Sequence, residues 1–412
     1  MVTTPKIRIN RKKKVAFVLS GGGTKAAAFH IGVAYALREH GFEFYQGLKT
    51  DQNRIEPHSK MVQTYVGSSG GSFIATVLAA GYSLENISAS FLNQIPTENS
   101  QFFPRALPRL QYSKMFKLRA EIAKEQVNQF QTVKNIASSL IDGNFPSLLQ
   151  LKWLKMSGLF STAGLEQFMR EEVLPSNRFE DYRPELFIVS TKLNDSQKVV
   201  FGKSAYSPPP HDPRCEYQTH VRISDSIAAS ASLPVIFAPY QIPDHSGRTH
   251  YYIDGEIRET LSTHVAVDSG ADLVFTSYTH QPYRFVKEVG SLTALGLPAI
   301  VVQSIYILIE QKINSTYESY RSKKAAMNEV YRYCKDSGSG LTREQADRIM
   351  EILEKELHQD RDLDIIPIHP NSSDTRTFLG EHFSLNPRRL TEIVKAGYKA
   401  GMSALSKYEF EE

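Results

Sequence analysis

Cysteine is almost absent from this sequence of 412 residues. Cys215 and Cys334 are the only two, so neither a disulfide framework nor a cysteine-based zinc site is expected. Histidine and cysteine residues nowhere cluster at the spacing of metal ligands. We therefore expect the protein to use no metal and no other cofactor.

The net charge is also small, and long uninterrupted apolar runs are few. A formal net charge of +4 is too small to indicate a nucleic-acid partner. The most apolar stretch, Ser291 to Ile309, approaches membrane-spanning length, but Pro298, Gln303 and Ser304 interrupt it, which indicates a buried or interfacial helix. The run from Val15 to Leu19 is too short for a secretory signal. We therefore expect a cytoplasmic or peripheral membrane protein, with secretion without a signal left open.

Strand-like runs followed by glycine-rich turns and helices begin the chain. Val15 to Leu19 is continuously apolar, as is typical of a strand buried on both faces, and a glycine loop and a helix over residues 26–38 follow it. Met61 to Val66 is a second strand-like run, which leads through a turn into an alanine-rich helix ending at Gly81. Two consecutive strand-to-helix units favour an α/β fold with a mainly parallel sheet.

The turn after the second strand reads Gly67-Ser68-Ser69-Gly70-Gly71. In a Gly-x-Ser-x-Gly pattern, a strand that turns sharply into a helix holds the central serine in a strained conformation. Gly67 and Gly71 flank Ser69 because a Cβ at either position would collide with the opposing strand or helix. We interpret Ser69 as a candidate nucleophile, against the alternative of an ordinary glycine- and serine-rich loop.

A glycine run, Gly21–Gly23, follows the first strand and allows three interpretations. It fails as a P-loop, because no Gly-Lys-Ser/Thr closes the required spacing. It nearly fits a dinucleotide fingerprint through Ala26 and Glu43. It also fits an oxyanion hole, in which small residues let backbone N–H groups point into a cavity. The turn at Ser69, about 45 residues downstream, favours the oxyanion hole.

Composition also predicts how the chain is divided. Residues 1–14 form a basic leader, interpreted either as a solvated lead-in or as a membrane-surface patch. Residues 95–157 form a predicted helical insertion with an apolar cluster from Phe145 to Leu154, either buried on the core or acting as a lipid-facing lid. We expect a catalytic domain over residues 15–280 and a mainly helical region packed on it over residues 281–412. The oligomeric state stays open.

Taken together, the motifs resemble the patatin-like phospholipase family over roughly residues 13–275. The matching blocks are Gly21-Gly22-Gly23-Thr24-Lys25, Gly67-Ser68-Ser69-Gly70-Gly71, Gly158-Leu159-Phe160-Ser161, Ala229-Ser230-Ala231-Ser232-Leu233-Pro234 ahead of Phe237 and Pro239, Asp254-Gly255, and Gly270-Ala271-Asp272. Each block alone is weak, but the order and spacing of four of the motifs are fairly specific.

The resemblance implies a three-layer α/β/α fold and a lipid acyl hydrolase that uses a Ser-Asp dyad. Carried over residue by residue, Ser69 is the nucleophile and Asp254 is the base. The implied oxyanion hole is formed by the backbone N–H groups of Gly21, Gly22, Gly23 and Thr24. The implied substrate is an acyl ester of membrane phospholipid or neutral glyceride, cleaved through an acyl-enzyme by phospholipase A, lysophospholipase or acylglycerol lipase activity. Such an enzyme would bind the membrane surface peripherally.

Two positions depart from the family pattern. Lys25-Ala26 stands where the family usually has Arg-Gly, which keeps the charge but loses the fork geometry of arginine. Glu256 stands where the family usually has glycine or alanine after Asp-Gly, which puts the shape of this turn in question. Taken alone, Asp254 also fits an ordinary turn aspartate.

Two other functions remain open from the sequence. One is an α/β-hydrolase with a Ser-His-Asp triad, in which His264, His369 or His382 supplies the imidazole. The other is a lipid- or nucleotide-binding module without catalytic activity. Replacement of each histidine tests the triad, and labelling of Ser69 by a fluorophosphonate tests the binding module.

Overall fold

The computed structural model describes most of the chain. It covers residues 5–52, 55–94, 106–118, 158, 160–206, 215–234, 236–244, 246–280, 282–285, 287, 290–295, 297–336, 339–370 and 384–411. Three features singled out by the sequence lie wholly or mostly outside these residues. They are His382, the apolar cluster from Phe145 to Leu154, and the predicted insertion over residues 95–157 apart from residues 106–118.

Strands and helices alternate through the first two thirds of the chain. The strands are β1 (Ile7–Ile9), β2 (Val15–Leu19), β3 (Glu43–Phe44), β4 (Met61–Ser68), β5 (Lys117–Leu118), β6 (Phe160–Ser161), β7 (Glu185–Lys192), β8 (Gln197–Phe201), β9 (Cys215–Gln218), β10 (Tyr240–Pro243), β11 (Thr249–Asp254), β12 (Leu273–Ser277), β13 (Asp364–Ile368) and β14 (Tyr408–Phe410). The helices are α1 (Gly23–Glu39), α2 (Gly70–Ala80), α3 (Leu84–Leu92), α4 (Tyr112–Met115), α5 (Ala163–Phe168), α6 (Ile223–Ser230), α7 (Thr263–Asp268), α8 (Leu297–Lys335), α9 (Arg343–Leu357) and α10 (Pro387–Leu405).

A mainly parallel sheet forms the centre of the fold. Its strand order is β10-β11-β7-β4-β2-β12-β13; in addition, β3 pairs with β4, β8 pairs with β7, and β9 pairs with β8. The strands from β7 to β13 in this order are parallel to their neighbours, whereas β11 and β8 run antiparallel to β7. Leu19 pairs with Gly67. The carboxyl ends of β2 and β4, and the glycine-rich turns that follow them, therefore lie at the same edge of the sheet.

Helices cover both faces of this sheet. In β2, Val15, Phe17 and Leu19 belong to the apolar cluster that includes α1, α2 and α10. Ala16 and Val18 belong to the opposite cluster, which includes α7 and the middle of α8. This alternation is the period-two pattern of a strand with both faces buried. The predicted α/β fold, with a mainly parallel sheet between two helical layers and a helical C-terminal region, is confirmed.

The C-terminal region packs on the core and also contributes strands. Helix α10 lies so close to α1 that a Cβ at Gly401 would be 2.5 Å from the Cβ of Ala36. β13 extends the central sheet beyond β12, and β14 pairs with β1. Strand β13 was not predicted from the sequence, and its Pro367 cannot donate a ladder hydrogen bond. Proline is tolerated there because β13 ends the strand order and is an edge strand.

Candidate active site

Ser69 stands at the sharp turn between β4 and α2. Its backbone has φ 49° and ψ −124°, a left-handed conformation that is unfavourable for a residue with a side chain. A Cβ at Gly67 would lie 2.5 Å from the Cα of Ser72. A Cβ at Gly71 would collide with the carbonyl oxygen of Leu19 in β2. Glycine on each side is therefore what allows this turn to form, as the sequence pattern predicts.

A serine that the sequence analysis did not single out holds this turn in place. The Ser69 N–H donates to Ser230 Oγ at 2.8 Å, and Ser230 Oγ donates to the carbonyl of Val189 at 2.5 Å. Ser230 ends α6 and is fully buried. Ser230 lies in the Ala229–Pro234 block on which the family resemblance partly rests. The sequence therefore indicated the block, but not the hydrogen bond between Ser230 and the Ser69 N–H.

Asp254 is the last residue of β11 and meets the serine turn across β7. It pairs with Ser190, while Ser68 pairs with the adjacent Val189. Its side chain is buried, with 2% of the residue exposed, and Oδ1 accepts the N–H of Glu256 at 3.0 Å. The third residue of the Asp-Gly-Glu turn therefore helps to fix the carboxylate of the first.

The environment of Asp254 favours the protonated form of its carboxyl group. Burial raises the pKa of Asp254 to about 6, although the hydrogen bond from the Glu256 N–H and the nearby Ser69 hydroxyl offset part of the rise. A carboxylate with such a pKa is ionised at neutral pH and is also a stronger base than an exposed aspartate. Ser69 is thus near enough to Asp254 to lower the pKa of that carboxyl, which makes the two side chains candidate partners.

The glycine loop begins α1 and lies against the serine turn. Gly22 and Gly23 have positive φ, 125° and 65°, and the backbone of Gly23 packs directly on Gly70. The Gly21 N–H, predicted as an oxyanion donor, instead donates to Glu256 Oε1 at 2.9 Å. Of the predicted oxyanion donors, Gly22, Gly23 and Thr24 stand at the amino end of α1, where the helix dipole favours negative charge.

Ser69 opens onto a small apolar cavity of about 60 Å³. Gly23 and Thr24 of the glycine loop line it together with Ser69 and Gly70. The remaining described lining is apolar and comes from Ala27, Phe73, Phe91, Leu110, Met115, Phe116, Leu165, Ile227, Ala231 and Phe237. The candidate nucleophile and the predicted oxyanion loop therefore face the same hydrophobic space.

Two of the three histidines considered for a Ser-His-Asp triad, His264 and His369, lie in the described residues, and both have partners away from the serine turn. His264 contacts Glu259 Oε1 through Nδ1 at 3.0 Å and Lys198 Nζ through Nε2 at 2.6 Å. His369 donates from Nδ1 to the carbonyl of Pro370 at 3.0 Å and stacks on Tyr278. Neither described histidine is hydrogen-bonded to Ser69 or Asp254. The geometry of the described residues thus gives the triad no support.

The described ranges contain neither a candidate metal site nor a helix fit to span a membrane. No group of three or more histidine, cysteine, aspartate or glutamate side chains is arranged to hold a metal ion there. No helix in the same ranges has both the length and the apolar character needed to cross a membrane. The expectation that the enzyme needs no cofactor stays a prediction.

Comparison with known proteins identifies the family. The family model described as Patatin-like phospholipase matches residues 17–267. This is more than half of the chain, so the protein belongs to the patatin-like phospholipase family, as the resemblance predicts, and is a lipid hydrolase at the family level. The crystal structure of VipD from Legionella pneumophila aligns with 100% of this chain and 77% of its own, at 14% identity and a TM-score of 0.31. No curated protein matches the chain.

Proposed function

We propose that the protein hydrolyses acyl esters of lipids through an acyl-enzyme on Ser69, with Asp254 as the general base. The observation that carries this proposal is the strained Ser69 beside a buried Asp254 whose pKa is raised to about 6. A buried carboxylate that accepts the proton of a serine hydroxyl activates that hydroxyl, which is otherwise a weak nucleophile. The substrate is a phospholipid or acylglycerol, and the apolar cavity beside Ser69 takes part of its acyl chain.

In the proposed reaction, the Asp254 carboxylate takes the Ser69 proton as Oγ attacks the ester carbonyl carbon. The carbonyl oxygen becomes an oxyanion, which the N–H groups of Gly22, Gly23 and Thr24 at the amino end of α1 stabilise. The tetrahedral intermediate then expels the alcohol, which leaves with the proton from Asp254. Water, deprotonated by Asp254, attacks the carbonyl carbon of the acyl-enzyme; as the bond from that carbon to Ser69 Oγ breaks, Asp254 returns the proton to Oγ and the fatty acid leaves.

The dyad is tested with conservative substitutions. Ser69→Ala and Asp254→Asn each remove a group needed in the same step, so each lowers kcat/KM on a small soluble ester by orders of magnitude. The double variant adds little to either single variant, because the two residues act as a unit. Asp347→Asn, at an exposed site on α9, is the control and keeps full activity.

A fluorophosphonate probe tests the nucleophile directly. The wild-type protein becomes labelled at Ser69, and Ser69→Ala does not. Multiplicative losses in the double variant, or near-normal turnover by Asp254→Asn, would refute the dyad. Absence of labelling at Ser69 in the wild-type protein would favour the binding module over the enzyme.

We also propose that the enzyme binds membranes peripherally through the first turns of α8. Ile300, Val301, Ile307 and Leu308 are exposed there, Leu308 to 64%. The stretch from residue 297 to residue 309 contains no charged residue, which is unusual for a helix that faces water. This apolar face belongs to the Ser291–Ile309 stretch that the sequence predicts as a buried or interfacial helix.

A basic aromatic loop adjoins this face of α8. Phe285 is 71% exposed and is flanked by exposed Arg284 and Lys287. The loop is fastened to α8 by Gln303, which accepts the N–H of Tyr283 at 2.7 Å and donates to its carbonyl at 3.0 Å. Apolar side chains beside basic ones match a bilayer that contains anionic lipid.

The basic leader contributes less to this surface than the sequence suggests. Lys12 is buried in an ion pair with Asp364 at 2.7 Å, and Lys14 donates to the carbonyl of Ser269 at 2.5 Å. Both lysines therefore hold β1 and β2 to the core. Within the leader, Lys6, Arg8, Arg11 and Lys13 are exposed, and of these Arg8 is paired with Glu411 at 2.6 Å.

Vesicle binding tests the membrane surface. The double variant Phe285→Ser/Leu308→Ser lowers binding to vesicles containing anionic lipid at least several-fold and leaves hydrolysis of a small soluble ester intact. Ile352→Ser, which removes another exposed isoleucine (50%) on α9, is the matched control and changes neither. Binding of the double variant equal to wild type would contradict the proposal, as would binding that does not weaken as salt rises.

The domain division is also proposed in a revised form. Residues 15–280 carry the whole dyad and glycine loop, and we propose them as the catalytic unit. The described structure ties the flanking regions to that unit, since β1 pairs with β14 and β13 joins the central sheet. We therefore expect a truncated protein ending at residue 280 to be insoluble or inactive.

A further inference from the structure

Glu256 is a buried carboxylic acid placed between the dyad and the glycine loop. It lies in the short 3-10 turn Gly255–Ile257 that follows Asp254, and 4% of the residue is exposed. Its Oε1 accepts the Gly21 N–H at 2.9 Å. The side chain that departs from the family pattern therefore spans from the end of β11 to the start of the glycine loop.

Glu256, Gly21 and Ser69 meet at one point. A Cβ placed on Gly21 would lie 2.7 Å from the Glu256 Cγ and 2.8 Å from the Ser69 Cβ. Gly21 is thus held between the glutamate side chain and the nucleophile. Because the hydrogen bond to Oε1 fixes its peptide group, the position of Glu256 sets the position of the loop that follows.

The second carboxyl oxygen of Glu256 has little to stabilise a negative charge. Oε2 is buried and makes no hydrogen bond within the part of the chain that the structure describes. Asp254 adds a like charge from the same turn. Thr260 Oγ1 donates to the backbone carbonyl of Glu256 at 3.3 Å, and the buried Ser68 Oγ makes no hydrogen bond with the described residues. Burial, followed by the charge of Asp254, raises the pKa of Glu256 to about 8.

Other titratable groups face Glu256 from elements packed against it. His280, which follows β12, places Nδ1 at 3.7 Å from Oε2. Tyr306 of α8 meets the His280 ring edge-on at 5.4 Å between centroids. Lys25 of α1 has its Nζ at 6.0 Å from the Tyr306 ring, and burial lowers the pKa of Lys25 to about 7. Any test by pH must therefore separate Glu256 from Lys25.

On the basis of the proposed function, we infer that Glu256 is a positioning residue whose neutral form holds the glycine loop on Ser69 and whose ionisation switches the enzyme off. Neutral Glu256 still accepts the Gly21 N–H and adds no charge beside Asp254. Ionised Glu256 places a second negative charge next to the dyad, where the oxyanion of the transition state must also form. Two carboxyl groups this close ionise in two separate steps, and the active form lies between them.

The test is the rate of fluorophosphonate labelling of Ser69 from pH 5 to pH 10 in wild type, Glu256→Gln and Glu256→Ala. The wild-type rate rises through about pH 6 and falls at least tenfold between pH 7 and pH 9.5. Glu256→Gln keeps the rise and loses the fall, because glutamine accepts the Gly21 N–H but does not ionise. Glu256→Ala also loses the fall, and labels at least tenfold more slowly than Glu256→Gln at pH 7 because Gly21 has lost its acceptor.

A Lys25 variant is the control for the second buried group that titrates in this pH range. If ionisation of Glu256 causes the alkaline fall in labelling rate, Lys25→Met still shows that fall. The inference is overturned if Glu256→Gln shows the wild-type fall, if Lys25→Met abolishes the fall, or if a folded Glu256→Ala labels as fast as Glu256→Gln. Should Glu256→Ala not fold, as judged by circular dichroism, the profiles of Glu256→Gln and Lys25→Met decide.

This experiment separates the inference from the function on which it rests. If wild-type Ser69 is not labelled at any pH, the proposed function fails. If wild type is labelled, Ser69→Ala is not, and the profiles of wild type and Glu256→Gln coincide, the function stands and the role of Glu256 fails.

Discussion

Replacing Glu256 by glutamine should change how the stability of the protein responds to pH. The pKa of a glutamate is about 4.5 when exposed, and burial together with the charge of Asp254 raises it to about 8 in the folded protein. Between these two values the folded state holds a proton that the unfolded state has released. The free energy of unfolding therefore falls as pH rises through this window, and it loses no more from Glu256 above about pH 8.

The size of the effect follows from the shift. One pKa unit corresponds to about 1.4 kcal/mol, so the rise from about 4.5 to about 8 amounts to about 5 kcal/mol when ionisation is complete. Part of this free energy belongs to the ionisation of Asp254, because the two carboxyl groups titrate as a pair. We expect Glu256→Gln to gain at least about 2 kcal/mol over wild type between pH 5 and pH 9. Glutamine also keeps an acceptor for the Gly21 N–H, so the glycine loop stays in place at pH 5 and at pH 9.

Urea unfolding followed by far-ultraviolet circular dichroism at pH 5, 6, 7, 8 and 9 measures this difference. The stability difference between Glu256→Gln and wild type should grow up to about pH 8 and then level off. Glu351→Gln, at an exposed site on α9, is the control and stays within about 0.5 kcal/mol of wild type throughout. Parallel curves for wild type and Glu256→Gln would show that Glu256 is ionised in the folded protein at neutral pH, which would refute the reasoning.

The serine turn, the metal-free mechanism and the basic leader can each be tested separately. Gly71→Ala, whose Cβ would collide with Leu19 O in the neighbouring strand, should lower the free energy of unfolding by at least about 3 kcal/mol. Gly41→Ala, at positive φ in open space, should cost only about 1 kcal/mol. Activity on a soluble ester should be unchanged after dialysis against EDTA, and a loss that calcium or zinc restores would contradict a metal-free dyad. Lys12→Ser, which breaks a buried ion pair, should destabilise by about 2 kcal/mol, whereas exposed Lys13→Ser should stay within about 0.5 kcal/mol in the same urea assay.

The sequence was sufficient to predict the features that depend on neighbouring residues. A strand, a turn with glycine on both sides and an alanine-rich helix predicted the conformation of Ser69, because φ above zero and close backbone approach are local demands. The continuous apolar run of β2 predicted a strand buried on both faces. The order of the motifs, ending with Asp254, indicated the family.

The sequence did not predict contacts between residues that are far apart in the chain. Ser230 binds the Ser69 N–H across 161 positions, and Glu256 binds the Gly21 N–H across 235. From the sequence, Glu256 was only a departure from a pattern. Folding places it against the nucleophile, because β11 and β2 end at the same edge of the sheet as β4.

Tertiary structure also decides which partners the histidines and the leader lysines have, which the sequence alone did not distinguish. His264 is bound to Glu259 and Lys198, and Lys12 of the basic leader is buried with Asp364. Whether a histidine is a base or a lysine meets lipid depends on which charges lie within a few ångströms and how much water remains around them. Local sequence determines backbone shape and residue chemistry, whereas burial and charge environment are properties that only the packed chain has.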